Sequence, residues 1–396
     1  MINAETAIEA TLTKFSELLG SQLKAAYLFG SFVQGYFQYG ESDVNLLFIV
    51  DDDTDIFEIR EVFLPIWKNF SDVLRRAPYI ARVNSFARLI QVDAILAHHL
   101  HENGRLLLGS ADYLTGFPEL DKQEVAARLV SEALVASSSL LPSLMPPEKA
   151  KASTKVARRL ARKLWQAPVA EEETAVTTYA RIQQKLGTQI ACLPAGKAYA
   201  NTEIPSVTAP FLPGLQALYK EADNIVMVLA HLSGSDIEKT DWEQMTERLS
   251  TECSGLVLTT SAQLSLSLIY DRPIGLKTQK YQHQWGIDHI AKLQSSKRQM
   301  MREAAATPTR IETQLLPHAL LTQPDDQFGR IIHDFQNKLL NVQLTHELLC
   351  RFGDVERFVP PHPLPDRSSP PIKRLEAILK HARWWSEFYT KQTLAA

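Results

Sequence analysis

Cysteine is scarce in this chain of 396 residues: the three, Cys192, Cys253 and Cys350, are far apart and odd in number, which excludes a disulfide framework and a cysteine-based zinc site. Long apolar runs are missing as well. No stretch of 18 consecutive apolar residues occurs, and the opening segment MINAETAIEATLTKF has no basic region leading into an apolar one, so no membrane-spanning helix or leader is predicted and a cytoplasmic location is expected. Charge of one sign is also lacking. With 42 Lys and Arg against 45 Asp and Glu, the formal charge of −3 supplies no global attraction to nucleic acid or anionic lipid. What is abundant is apolar side chain, 45% of the residues, in a chain longer than one hydrophobic core usually organises.

Periodicity orders the first third of the chain. Ile8, Leu12, Phe15, Leu18 and Leu19 recur at helical spacing over 3–19, with Asn3 as N-cap and Gly20 at the end. AAYLFGS then reads as a short buried strand, VQGYF as a helical turn, and DVNLLFIV as a second strand that is apolar on both faces. Asp55 to Arg76 reads as a helix kinked at Pro65, PYIARV as a third strand, and Ser85 as the cap of a helix running to about Gly104.

From about 120 to 215 the pattern is helical. Strands return at NIVMVLAHL (224–232) and GLVLTT (255–260), around the helical WEQMTERLS. Ile49 and Ile80 are 31 residues apart and Leu229 and Val257 are 28 apart, so 216–305 reads as a degenerate second copy of the first module that has lost the glycine-serine strand. Helices follow at 287–305, 328–351 and 371–391, the last two joined by VPPHPLPDRSSPP, whose six prolines make an extended linker. The resulting partition is an α/β (α+β) module at 1–115, a helical region at 116–215, the degenerate α/β repeat at 216–305, and a C-terminal helical region at 306–396 with the Pro-rich linker at 359–371.

The chemistry concentrates between Tyr27 and Val50, YLFGSFVQGYFQYGESDVNLLFIV. A glycine-serine turn at the end of a strand lets backbone N–H groups and a small hydroxyl approach phosphate oxygens unobstructed. Carboxylates at i and i+2 of a neighbouring strand project to one side and can share metal ions. Gly30 and Ser31 supply the turn and Asp43 the first carboxylate, but the second position carries Asn45.

LFGSFVQGYFQYGESDVNLLFIV resembles the motif of the nucleotidyltransferase fold of the DNA polymerase β superfamily: an apolar residue, Gly-Ser, a spacer, then Asp-apolar-Asp/Glu-apolar. It looks closest to the bacterial branch that includes aminoglycoside nucleotidyltransferases and the minimal, antitoxin-type enzymes. The resemblance covers roughly 20–110, where HENGRLLLGS is similar to the segment that commonly closes such domains. It implies a mixed sheet with helices, Mg2+ as cofactor, and transfer of a nucleoside monophosphate from a nucleoside triphosphate to an acceptor. On that basis Gly30 and Ser31 hold the triphosphate, Asp43 holds the metal, and Asn45 is a weakened second ligand in the catalytic pair.

Asn45 is the departure, because an amide offers magnesium a neutral oxygen without charge. Asp51, Asp52 and Asp53 cannot replace it, lying on the order of 26 Å along the strand at about 3.3 Å per residue. The family's third acid belongs on a later strand; PYIARV has none, and Asp93 qualifies as a metal ligand only if LIQVDAIL is strand.

Other features read as ordinary surface or packing. His98 and His101 lack a third ligand in view, Lys149 to Lys163 follow a helix with the apolar stripe Val156, Leu160 and Leu164, and KYQHQWG (280–286) reads as packing. Two functions remain open. One is a magnesium-dependent nucleotidyltransferase; the other is a catalytically degenerate nucleotidyltransferase-fold protein that binds nucleotide or a protein partner as a scaffold.

Overall fold

Alternate residues of LKAAYLF are buried on opposite sides, because Leu23–Phe29 forms a central strand (β1) covered on both faces. The computed structural model describes residues 2–115, 158, 162, 215–220, 225–230, 255–260, 282–286, 288 and 297–395 apart from 352, 354, 362 and 365–367. The chain divides into two compact units, Met1–Asp121 with Met300–Ala396, and Lys122–Gln299.

In the first unit, β2 (Asn45–Val50) runs antiparallel to β1 with Asn45 opposite Phe29. The strand β3 (Tyr79–Arg82) is parallel to β2, and β4 (Arg105–Gly109) is antiparallel to β1, giving the order β3-β2-β1-β4. This is a mixed α+β architecture. Helices α1 (Ile2–Leu19) and α2 (Glu58–Phe70) cover one face, where Phe15 meets Phe48 with ring centroids 4.3 Å apart. Phe86, Leu89 and Ile90 of α3 (Val83–Val92) and Leu96 and Leu100 of α4 (Ala94–Asn103) cover the face that carries Ala25, Tyr27, Phe29, Leu47 and Ile49.

Several local expectations are corrected. Asn3 lies inside α1, and its amide reaches Tyr39 and Asp72 rather than capping the helix. The second helix begins at Glu58, after the Asp55 carboxylate has accepted the Phe57 N–H, and it ends at Phe70. Ser85 occupies the third position of α3: its hydroxyl accepts the Arg82 N–H at 2.8 Å, so Arg82 is the capping residue. The helix expected to run from Ser85 to Gly104 is broken at Asp93 (φ −115°, ψ 76°) into α3 and α4. The strand β4 within HENGRLLLGS was not anticipated as strand.

The C-terminal segment contributes α5 (Lys297–Arg310), a π-helical turn at Ile311–Leu315, α6 (Leu316–Thr322), α7 (Phe328–Arg351) and α8 (Pro371–Ala395). Ile311, Leu316, Leu320, Phe328, Leu375 and Trp385 join the buried cluster of α1 and α2. Polar contacts reinforce this. Glu312 in the π-helical turn is 1% exposed at its side chain and faces three guanidiniums: Arg88 at 3.1 Å, Arg383 at 3.2 Å and Arg82 at 3.8 Å. Burial, followed by the charge of Arg383, lowers the Arg82 pKa to about 10, and Glu312 pulls it back up. Arg60 of α2 donates to the carbonyls of Leu320 and Gln323, pairs with Asp325 at 2.6 Å and lies over the Phe328 ring.

A second four-stranded sheet comprises β5 (Leu215–Lys220), β6 (Ile225–Ala230), β7 (Gly255–Thr260) and β8 (Gln282–Gly286) in the order β7-β6-β5-β8. Its pairings repeat the first sheet: antiparallel, parallel and antiparallel for β5–β6, β6–β7 and β5–β8. The irregularities repeat too. Register shifts fall between Leu23 and Ala25 and between Leu215 and Ala217, and positive-φ Gly109 and Gly286 face Ala25 and Ala217. At Gly109 a Cβ would sit 2.0 Å from the Lys24 carbonyl, so a side chain is excluded. The second sheet therefore retains the first strand of the pattern, as β5. What separates it from the first sheet is the connection, with Lys220 and Ile225 close in sequence where Phe29 and Asn45 are joined by a long turn.

Replacing Glu312 by Gln leaves three buried or half-buried guanidiniums without their shared anion, and the expected loss of stability is about 3–5 kcal/mol by denaturant unfolding. A loss under about 1 kcal/mol would show that the arginines find other partners and that this carboxylate does not hold the C-terminal segment.

Candidate functional site

The motif residues assemble where β1 ends and β2 and β3 begin. Gly30 leaves β1 at φ +83° and starts a turn in which its carbonyl accepts the N–H groups of Val33 and Gln34, with Ser31 at the head. A Cβ on residue 30 would lie 2.7 Å from Asn45 Nδ2, so the glycine and the amide are in direct apposition. Asn45 Nδ2 donates to the Asp43 carbonyl at 3.3 Å. A carboxylate at position 45 has no hydrogen for that bond, which gives the amide a structural role at this position.

Asp43 precedes β2 rather than opening it. Its loop is held by Arg75, which donates to the carbonyls of Gly40 and Glu41, and by the Ser42 hydroxyl, which accepts the Gln38 N–H at 2.8 Å. The Asp43 side chain is 13% exposed, with Arg76 Nε at 3.9 Å and the Arg76 N–H at 3.5 Å. Burial raises its pKa from 3.8 to about 6, against the opposing pull of Arg76 and Arg75.

Tyr79 opens β3. Its ring centroid is 5.7 Å from that of Phe29, and its phenol pKa is raised by burial, opposed by the hydrogen-bonded Arg76 and raised further by Asp93 and Asp43. Asp93, whose charge bears on Tyr79, lies at the break between two helices instead of on a strand. One oxygen caps α4 through the Leu96 N–H at 3.0 Å; the other accepts Gln314 Nε2 at 3.3 Å and lies 4.0 Å from Arg310 Nε. His318 of α6 accepts the Ala77 N–H on Nδ1 at 3.2 Å, and its pKa is lowered by burial and then by the charge of Arg76.

The structure brings together Gly30, Asp43 and Asn45 by direct contact, with Ser31 adjacent, and holds Asp93 apart at the α3–α4 break, where Leu96, Gln314 and Arg310 engage it. Sequence reasoning missed Arg76, Tyr79, Arg310, Gln314 and His318. A signal was present: an arginine pair immediately precedes the third strand, and Arg310, Gln314 and His318 recur at four-residue spacing on a helical segment.

The donor set fits a magnesium site poorly. Asp43 already faces a guanidinium, Asn45 turns its amide N–H toward a carbonyl, and both oxygens of Asp93 are engaged. Among the described residues no three His, Cys, Asp or Glu side chains group to hold a metal. Asp51 and Asp52 lie elsewhere, pairing with Lys24 and capping Asn84. His98 and His101 lie on α4 and belong to no potential metal group among the described residues, and the basic stretch from Lys149 to Lys163 falls outside the described residues except for Arg158 and Arg162. No described helix is long and apolar enough to cross a membrane. No family model matches the chain, and no curated protein matches it.

Two outcomes are expected. Asn45→Asp removes the bond to the Asp43 carbonyl and adds a second carboxylate beside Asp43, costing about 1–3 kcal/mol at neutral pH in denaturant titrations; an unchanged midpoint would show the amide to be dispensable. For Asp43, the folded pKa lies above the unfolded value, so its contribution is full below pH 3.8 and is lost as pH rises through about 6. Asp43→Asn should therefore stabilise the protein by on the order of 2–3 kcal/mol at about pH 7.5 and be neutral near pH 4. A variant equally or less stable than the parent at about pH 7.5 would contradict the buried, costly carboxylate.

Proposed function

We propose that the chain is a nucleotidyltransferase-type protein that binds a nucleoside triphosphate at the Gly30–Asp43–Asn45 mouth and has given up metal-dependent transfer. The observation that carries this reading is that Asn45 and Arg76 each engage Asp43: an amide stands where the motif asks for a second carboxylate, and a guanidinium stands at the first carboxylate where a metal is wanted. Phosphoryl and nucleotidyl transfer rely on positioning and on neutralising developing charge. A mouth with the Gly30–Ser31 turn, Arg76 and His318 keeps the means to hold phosphate. One carboxylate without a charged neighbour of the same kind does not supply the anionic cage that a pair of magnesium ions needs.

A second reading, magnesium-dependent transfer to an acceptor, is supported by Asp43, which keeps the first carboxylate of the motif beside the Gly30 turn and Asn45. Calorimetry with ATP, GTP, CTP and UTP, combined with a pyrophosphate-release assay, separates the two. Saturable binding of at least one nucleotide with no pyrophosphate release, with or without magnesium, is the expected result. Release by the unmodified chain in magnesium would establish the enzyme; no binding of any nucleotide at millimolar concentration would remove the nucleotide site.

A further inference from the structure

We propose that Arg76 takes the place of the metal ion, so that the ligand of this site is the magnesium-free phosphate chain of a nucleotide. This rests on the nucleotide-binding reading above and specifies the ionic form bound and the residue that binds it. The charge balance is the starting point. A pair of carboxylates is matched by a divalent cation, whereas one carboxylate beside an amide is matched by a single positive charge. The chain has that amide at Asn45 and that charge at Arg76.

Arg76 is also placed to act. It holds Asp43 from two directions, through its own backbone N–H at 3.5 Å and its guanidinium Nε at 3.9 Å, yet 58% of its side chain remains exposed. The separation of 3.9 Å is an ion pair without a tight hydrogen bond. A guanidinium has five donors in a planar fork, so engaging Asp43 and Tyr79 leaves others for phosphate oxygens. Arg75 does not compete, because the carbonyls of Gly40 and Glu41 occupy it in ordering the loop.

The surrounding groups agree with an anionic ligand. His318 accepts the Ala77 N–H on Nδ1, so the neutral ring carries its hydrogen on Nε2 and keeps a donor available next to the Arg76 backbone segment. Asp93, whose charge bears on Tyr79, is engaged by Gln314 and Arg310, which offsets its repulsion of a phosphate. Magnesium on the nucleotide would compete with Arg76 for the same oxygens while meeting only one carboxylate, Asp43, which Arg76 already pairs.

The test is ATP binding by calorimetry to the full chain in EDTA and in excess magnesium, repeated with Arg76→Gln and Arg76→Lys. The expected result is that ATP in EDTA binds at least as tightly as in magnesium. Arg76→Gln should weaken binding in EDTA by about tenfold or more, with partial recovery in Arg76→Lys. Arg76→Gln removes the charge that favours the buried Asp43 carboxylate, so a lower melting temperature is expected at neutral pH, and a native circular-dichroism spectrum at the titration temperature separates a lost contact from a lost fold. Binding that requires magnesium, or an Arg76→Gln affinity in EDTA within about twofold of the parent, would overturn the role of Arg76 while leaving a nucleotide site standing. Absence of ATP binding in every condition would overturn both.

Discussion

The geometry of the mouth depends on the pairing of Phe29 with Asn45 at the end of two antiparallel strands. That register sets the Gly30 turn against the residue two places beyond Asp43, and the turn can form there because residue 30 has no Cβ to meet the Asn45 amide. Everything the site can do follows from this contact. The amide holds the Asp43 carbonyl, Asp43 is held in a buried position beside Arg76, and the next residue, Ala77, donates its N–H to His318 of the C-terminal segment. A slip of one residue in β2 would turn Asn45 to the opposite face, with Leu47 and Ile49 beside it, and disperse the cluster.

The C-terminal segment is more than a covering layer. Its π-helical turn buries Glu312 among arginines from β3, α3 and α8, while the same turn presents Gln314 to Asp93. A π-helical turn shifts successive side chains relative to a regular helix, and here it allows one short stretch to serve the buried ion network and Asp93 together. A buried ionic cluster is weak evidence for net stability, since desolvation offsets much of the attraction. Its effect is to fix where the segment sits, because among the described residues Glu312 is the one carboxylate that all three arginines share.

The central strands were legible in the sequence because both are apolar on each face and too short for helices; α1 and α7 were legible from an amphipathic period sustained over many residues. The break at Asp93 was not, because LIQVDAILAHH keeps a helical apolar spacing through the aspartate, and only the capping of Leu96 ends one helix and starts the next. The strand β4 was hidden by its five-residue length beside a helix end. For the site, Gly30, Ser31, Asp43 and Asn45 were readable as a motif, whereas Arg310, Gln314 and His318 lie more than two hundred residues away and reach the mouth only through packing. In the second sheet the reading recovered β6 and β7 and missed β5, where polar residues interrupt the apolar ones in LQALYK, and β8, where QHQWG alternates polar and aromatic groups and its first three residues are exposed.

The account turns on what neutralises the ligand at Asp43: a guanidinium or a divalent ion. A crystal structure of the chain grown with ATP and manganese reads this directly, since manganese gives an anomalous signal. The account expects the Arg76 guanidinium within hydrogen-bond distance of a phosphate oxygen and no manganese peak between Asp43 and the phosphates. A manganese ion coordinated by Asp43 and a phosphate oxygen, with Arg76 turned to solvent, would contradict it.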